Sequence, residues 1–138
     1  VDMEQKKQAP YTVAFKEKAN ILLVDDEPAL LAVTSELLSS SGYHVFCARD
    51  ASEALTILKR ESINILITDV IMQNLDGYEL ASIVKEKYPD IKIQIVSGFA
   101  ESPGTTTIDF SLQEKIMQKP VDTEDLLSRI RELTKQIN

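Results

Sequence analysis

The chain has no tryptophan, one cysteine (Cys47), one histidine (His44) and only four glycines in 138 residues. A single cysteine cannot close an intramolecular disulfide, and no paired Cys/His spacing of a zinc site is present, so a reducing, cytoplasmic setting is expected. No apolar run approaches the roughly 18 residues that a bilayer crossing needs. Asp2, Glu4, Lys6, Lys7, Lys16, Glu17 and Lys18 crowd the start without an apolar block, which excludes a secretory signal. Positive charge is also short. With 15 Lys+Arg against 22 Asp+Glu the formal charge is −7, so direct contact with nucleic acid or anionic lipid, which needs clustered cations, is not expected, and a cationic partner suits the chain better. No Gly-rich loop follows the first apolar run, which disfavours nucleotide or flavin binding of the usual kind.

Apolar residues make up 43% of the chain, enough for one core at a length where about 70% of the unfolded surface can be buried. Residues 1–18 are polar apart from Tyr11 to Phe15 and read as a leader or linker, with a stray strand possible at those five residues. One domain is expected over 19–138.

Within that domain short β-branched runs alternate with segments of helical period, the pattern of βαβ units around a parallel sheet. The runs begin at Ile21, Tyr43, Ile63 and Ile91, with a weak fifth at Ile116-Met117. The first, Ile21-Leu22-Leu23-Val24, is continuously apolar, as expected of a strand covered on both faces. Leu30, Leu31, Val33, Thr34, Leu37 and Leu38 form a helical stripe that Pro28 starts and Gly42 ends. Ala51, Ala54, Leu55 and Leu58 form a second stripe, and Leu80, Ile83, Val84 and Tyr88 a third that Pro89 closes. A last helix begins at Asp122 or Thr123 and places Leu126, Leu127, Ile130 and Leu133 on its core face. The fourth connection, Ala100 to Leu112, holds Pro103, Gly104 and three consecutive threonines, so its helix is expected to be short or irregular. His44 reads as an outward strand residue and Cys47 as a small core hydrophobe.

Open parallel sheets bind ligands outside the carboxyl ends of their strands, where strand order reverses. The residues at those ends are Asp25, Asp26 and Glu27 after the first run, Asp69 after the third, Ser97 after the fourth and Lys119-Pro120 after the fifth. Aspartates converging on one spot repel unless a cation neutralises them, and Mg2+, a hard ion that prefers oxygen ligands and accompanies phosphate, is the natural choice. A carboxylate can itself be a nucleophile toward phosphorus, with a metal on the phosphoryl oxygens, a lysine ammonium facing them and a hydroxyl donating to them. Any one of these residues alone would be an ordinary helix start, turn or surface group; their joint placement on one rim carries the inference.

Four segments resemble response-regulator receiver domains: Ile21-Leu22-Leu23-Val24-Asp25-Asp26-Glu27-Pro28, then Asp69 through the Asp76-Gly77 pair to Leu80, then Val96-Ser97-Gly98, and finally Lys119-Pro120. They follow family order and intervals over roughly residues 19 to 137. The resemblance implies a flavodoxin-like, doubly wound five-stranded parallel sheet of order 2-1-3-4-5 flanked by about five helices. It implies Asp69 as phosphoacceptor, Asp26 as a direct and Asp25 as a largely water-mediated Mg2+ ligand, and Ile71 as a backbone-carbonyl ligand. It further implies Lys119 on the phosphoryl group beside a cis bond to Pro120, Ser97 as the hydroxyl that shifts on activation, and a phosphohistidine donor on a histidine kinase or phosphotransfer domain. Such a module assists its own phosphorylation and dephosphorylation and is not otherwise an enzyme; as an assembly, a monomer or weak dimer is expected.

Two positions depart from the family: Gln73 replaces a usual proline, and Ile116 replaces a usual aromatic three residues before the lysine. The run Ser97-Gly98-Phe99-Ala100 resembles receivers attached to hybrid sensor kinases. No output domain follows the last helix, so a stand-alone regulator or a receiver of a hybrid kinase is expected, and the leader favours the second. One rival is a Mg2+-dependent phosphohydrolase with an aspartate nucleophile; those enzymes place the nucleophile after the first strand, a second acid two positions on and a cap domain. Here Glu27 holds that second position and no length is left for a cap. The other rival is a degenerate receiver that binds proteins without phosphorylation, which Ile116 and Pro103-Gly104 would suit.

Overall fold

In the computed structural model, which describes residues 19–70, 77–97 and 116–137, the most apolar segment takes the most enclosed place. Strand β1 (Asn20–Val24) lies between β2 (His44–Ala48) and β3 (Ile65–Asp69), followed by β4 (Lys92–Ser97) and the two-residue β5 (Met117–Gln118). All pairings are parallel and the order is β2-β1-β3-β4-β5. Four helices lie among the described residues: α1 (Pro28–Ser40), α2 (Ala51–Arg60), α3 (Gly77–Lys87) and α4 (Thr123–Thr134).

The period-two alternation of β1 and β3 explains the two layers. Ile21, Leu23, Ile65 and Ile67 face α1 and α4, where they pack with Leu31, Leu38, Leu126, Ile130 and Leu133. Leu22, Val24 and Leu66 face the other way, onto Ala51, Ala54 and Leu58 of α2 and Leu80 and Val84 of α3. Each such Leu or Ile contributes about 1.5–3 kcal/mol by leaving water, so the strands that carry apolar side chains on both faces take the central places.

Local signals place the helix ends. Gly42 sits at φ 100, beyond the last turn of α1, the left-handed stop that glycine adopts without a Cβ penalty. Asp50 accepts from the amide of Glu53 at 2.8 Å and Asp122 from that of Asp125 at 3.1 Å, capping α2 and α4. Pro28 opens α1, whose N-cap residue Glu27 makes no side-chain capping bond.

Strands β2 to β5 begin and end one or two residues later than the apolar runs suggest, because ladder bonds continue to the polar ends: Asp69 and Ser97 close β3 and β4 instead of following them, whereas β1 ends at Val24 as its run does. Cys47 corrects an expectation. It is exposed and not in the core, on a strand that forms the edge of the sheet. His44 is exposed as expected, its ring 4.8 Å from that of Phe46. The leader, Ile71, Gln73, Asp76 and the fourth connection lie outside the described residues. No helix among the described residues is long and apolar enough to cross a membrane.

Candidate functional site

Strand order reverses between β1 and β3, since the chain leaves β1 outward to β2 and returns on its other side to β3. The crevice at that reversal is where the carboxyl ends of β1 and β3 present Asp25 and Asp69 as neighbours. Both are buried, at 7% and 9% exposure, while Asp26 is exposed. The three offer ligand oxygens that all lie within 4.8 Å of one another. Hard oxygen donors at that spacing fit a divalent cation such as Mg2+.

Lys119 arrives from the far edge of the sheet. Its amide donates to the carbonyl of Ser97 at 2.7 Å, continuing the β4–β5 ladder, and the Lys119-Pro120 bond is cis. Its ammonium donates to Asp25 Oδ2 at 3.0 Å and lies 3.3 Å from Asp69 Oδ2 and 3.9 Å from Glu27 Oε1. One cation therefore bridges the two buried aspartates and reaches a third acid at the rim.

The remaining oxygens of the two buried acids are also occupied. Asp69 Oδ1 accepts from the amide of Val70 at 2.9 Å, and Asp25 Oδ1 from that of Glu27 at 3.0 Å. Burial pushes the Asp69 carboxyl above its ordinary range; Lys119 opposes that shift and the charge of Asp25 reinforces it. On Lys119 burial pulls downward, but hydrogen bonding to Asp25 and the nearby charge of Asp69 outweigh it, and the ammonium is held above its usual range.

Backbone packing holds Asp69 in place. The amide of Gly77, at the start of α3, donates to the carbonyl of Val70 at 2.6 Å. A Cβ on Gly77 would collide with the carbonyl oxygen of Asp69 and approach the Cα of Val70. The glycine is thus required by a close approach of two backbones beside the nucleophile candidate. Sequence reasoning read Asp76-Gly77 as part of a family motif and missed this contact.

Ser97 is buried at the end of β4, one residue beyond Val96, the register neighbour of Asp69. Ile116 packs inward against Val70, Tyr78, Ala81 and Ile95, so the position where the family places an aromatic is filled by an aliphatic side chain. The structure brings Asp25, Asp26, Asp69 and Lys119 together and seats Ser97 on the adjoining strand end; Ile71 lies outside the described residues. Glu27 was recognised as a strand-end acid but not as a neighbour of Lys119.

A cavity of about 670 Å³ opens at this rim and runs between α1 and α4, with Leu30, Val33 and Leu37 on one wall and Leu126 on the other. Val33 is 67% exposed and Leu30 37%, an apolar surface continuous with the acidic crevice.

A family model described as the response regulator receiver domain matches residues 21–131. The response regulator receiver protein CpdR of Brucella abortus is 32% identical over 82% of this chain and 94% of its own length. The sensor kinase CckA of the same organism is 31% identical over 95% of this chain and 15% of its own, and the transcriptional regulatory protein GlrR of Escherichia coli 30% over 86% and 27%. The chain thus spans about a quarter of the length of GlrR. Among solved structures, a CheY-like receiver domain protein from Methanospirillum hungatei superposes with a TM-score of 0.77 at 31% identity, covering 86% of this chain and 95% of that one. The response regulator TrrA from Thermotoga maritima, in complex with Mg2+ and BeF, gives 0.73 at 26%, covering 83% and 98%.

Proposed function

Because the chain belongs to the response regulator receiver domain family, a signalling module of two-component systems, we propose that it takes a phosphoryl group onto Asp69 from a phosphohistidine donor in a Mg2+-dependent step and then presents an altered surface. The observation that carries this reading is the meeting of three aspartate ligand atoms within 4.8 Å with the Lys119 ammonium against the two buried ones.

An Asp69 oxygen attacks phosphorus; the new O–P bond forms as the P–N bond of the donor breaks, and its electron pair returns to the imidazole. Asp25, Asp26 and Asp69, with the backbone carbonyl of Ile71, would hold Mg2+, which when bound supplies positive charge against the phosphoryl oxygens. Lys119, whose ammonium lies 3.0 Å from Asp25 and 3.3 Å from Asp69, would place its charge against those oxygens. The Val70 amide keeps Asp69 oriented. Ser97 serves as the hydroxyl that moves toward the phosphoryl group. The added charge and acceptor oxygens are enough to bias a local equilibrium between loop and helix positions.

The donor is read as a histidine kinase or histidine phosphotransfer domain, seated on exposed Leu30 and Val33 beside the rim. The receiver is read as residues 19–138, preceded by a leader over 1–18, working where the charge balance of −7 gives nucleic acid no hold. Relatives of both kinds, CpdR as a receiver protein and CckA as a sensor kinase, support such a unit either alone or within a hybrid kinase.

Intact-mass or NMR detection of phosphorylation by a small phosphodonor tests the reading. Modification that requires Mg2+ and is absent in Asp69→Asn is expected. Modification that survives this substitution would move the phosphoacceptor to another residue, and no modification of wild type would leave only a phosphorylation-independent binding module.

A further inference from the structure

Glu27 is the carboxylate at this rim to which the proposed chemistry assigns no work. Its amide is committed, donating to Asp25 Oδ1 at 3.0 Å, and this fixes the residue at the edge of the crevice. Although it is the N-cap residue of α1, its side chain caps nothing. Instead its Oε1 lies 3.9 Å from Lys119 Nζ, and the same nitrogen lies 3.3 Å from Asp69 Oδ2. Glu27 is thus at most two ion-pair lengths from the nucleophile, on the solvent side.

The balance of charge shows what such a group does. Asp25, Asp26, Asp69 and Glu27 against Lys119 leave three uncompensated negative charges, and a divalent cation would leave one. Without Glu27 the loaded site would be neutral. The residual charge therefore corresponds to a residue that stands outside the group of three ligand carboxylates and acts on the site through its charge.

We propose that Glu27 is a specificity-determining charge which disfavours small, multiply charged anionic phosphodonors and so reserves Asp69 for a protein donor that brings its own cationic surroundings. This rests on the phosphoacceptor reading above and deepens it by naming the class of donor the site rejects. A fixed negative charge one ion-pair length beyond Lys119 acts on the whole charge of the donor, so its effect grows with that charge and fades as salt screens it. A merely structural role for Glu27 would show neither dependence.

The test compares initial rates of Asp69 modification, by intact mass at saturating Mg2+, for acetyl phosphate, a doubly charged donor at neutral pH, and phosphoramidate, a singly charged one. In Glu27→Gln, rates at low salt are expected to rise about fivefold with acetyl phosphate and about twofold with phosphoramidate, both gains shrinking toward unity at about 1 M salt. Glu27→Lys should rise further in the same order, and Glu27→Asp should stay near wild type. On unphosphorylated protein, calorimetric titration should show Mg2+ binding about twofold to fivefold weaker in Glu27→Gln, since the same charge attracts the cation. Equal rates in wild type and Glu27→Gln, an equal gain with both donors, or unchanged Mg2+ binding would overturn the proposal while leaving Asp69 as phosphoacceptor. Absence of modification by either donor in both wild type and Glu27→Gln would overturn both.

Discussion

At the amino end of β1 and β3, Asn20 and Asn64 answer one another: the Asn20 amide donates to Asn64 Oδ1 at 2.8 Å, the Asn64 amide to the Asn20 carbonyl at 2.9 Å, and Asn20 Nδ2 to Ser62 O at 2.7 Å. At the carboxyl end of the same two strands, Asp25 and Asp69 present like charges that share Lys119 and lie beside Asp26. Neutral amides carry both donors and acceptors and can close a strand end on themselves. Ionised carboxylates only accept, so two of them cannot satisfy each other and must recruit cations. One end of the sheet is finished by folding; the other is left open to a ligand.

Four substitutions press on that contrast in five predictions, from the largest expected effect to the smallest. Asp69→Asn should abolish Mg2+-dependent phosphorylation outright, read by intact mass, because no other rim residue takes over as nucleophile. Gly77→Ala should lower stability by about 2–3 kcal/mol in urea titration, since the added methyl must displace the Asp69–Val70 backbone. Asn64→Ala should cost about 1.5 kcal/mol by leaving the Asn20 amide without its acceptor, with the phosphorylation rate unchanged. An altered rate there would mean that the two ends are coupled. Asp50→Ala, at an acid that caps a helix and serves no site, should cost about 1 kcal/mol and leave Mg2+ binding alone.

The smallest effect depends on pH. The Asp69 carboxyl is pushed up in the folded state, chiefly by burial, so the stability linked to it is fully present below the unfolded carboxylate range and is lost as pH rises through the folded value. Without divalent cations, Asp69→Asn should therefore gain stability over wild type at neutral pH, and the gain should vanish in acid. A gain independent of pH would show that charge at the rim is not its source.

Much of this was legible from one sequence because an open parallel sheet sends its ligand site to known places. Once β1, β3 and β4 were read from their β-branched runs, the residues at their ends had to share a rim. The helix stops at Gly42 and the caps at Asp50 and Asp122 were equally legible, being local chemistry. Contacts between distant segments were not. Gln94 lies in β4 with 0% exposure, its side chain accepting from Arg129 Nε on α4 at 2.7 Å, and nothing in the run from Ile91 to Val96 announces a buried glutamine. Cys47 looked like a core residue because its run is apolar, but only strand order reveals that β2 is an edge. The departure at Ile116 was visible, whereas its packing against Tyr78 and Ala81 needed the fold.

The sequence by itself determined which chemical groups stand at the carboxyl ends of the strands, and in what order, because strand-forming runs and the groups that follow them are covalent neighbours. Only the tertiary structure decided which of those groups meet. Lys119 and Asp25, 94 positions apart, are joined by a 3.0 Å bond, and Glu27 enters the site through that same lysine. Such contacts arise from the order in which strands are laid down and helices pack across them, and no local pattern encodes that order.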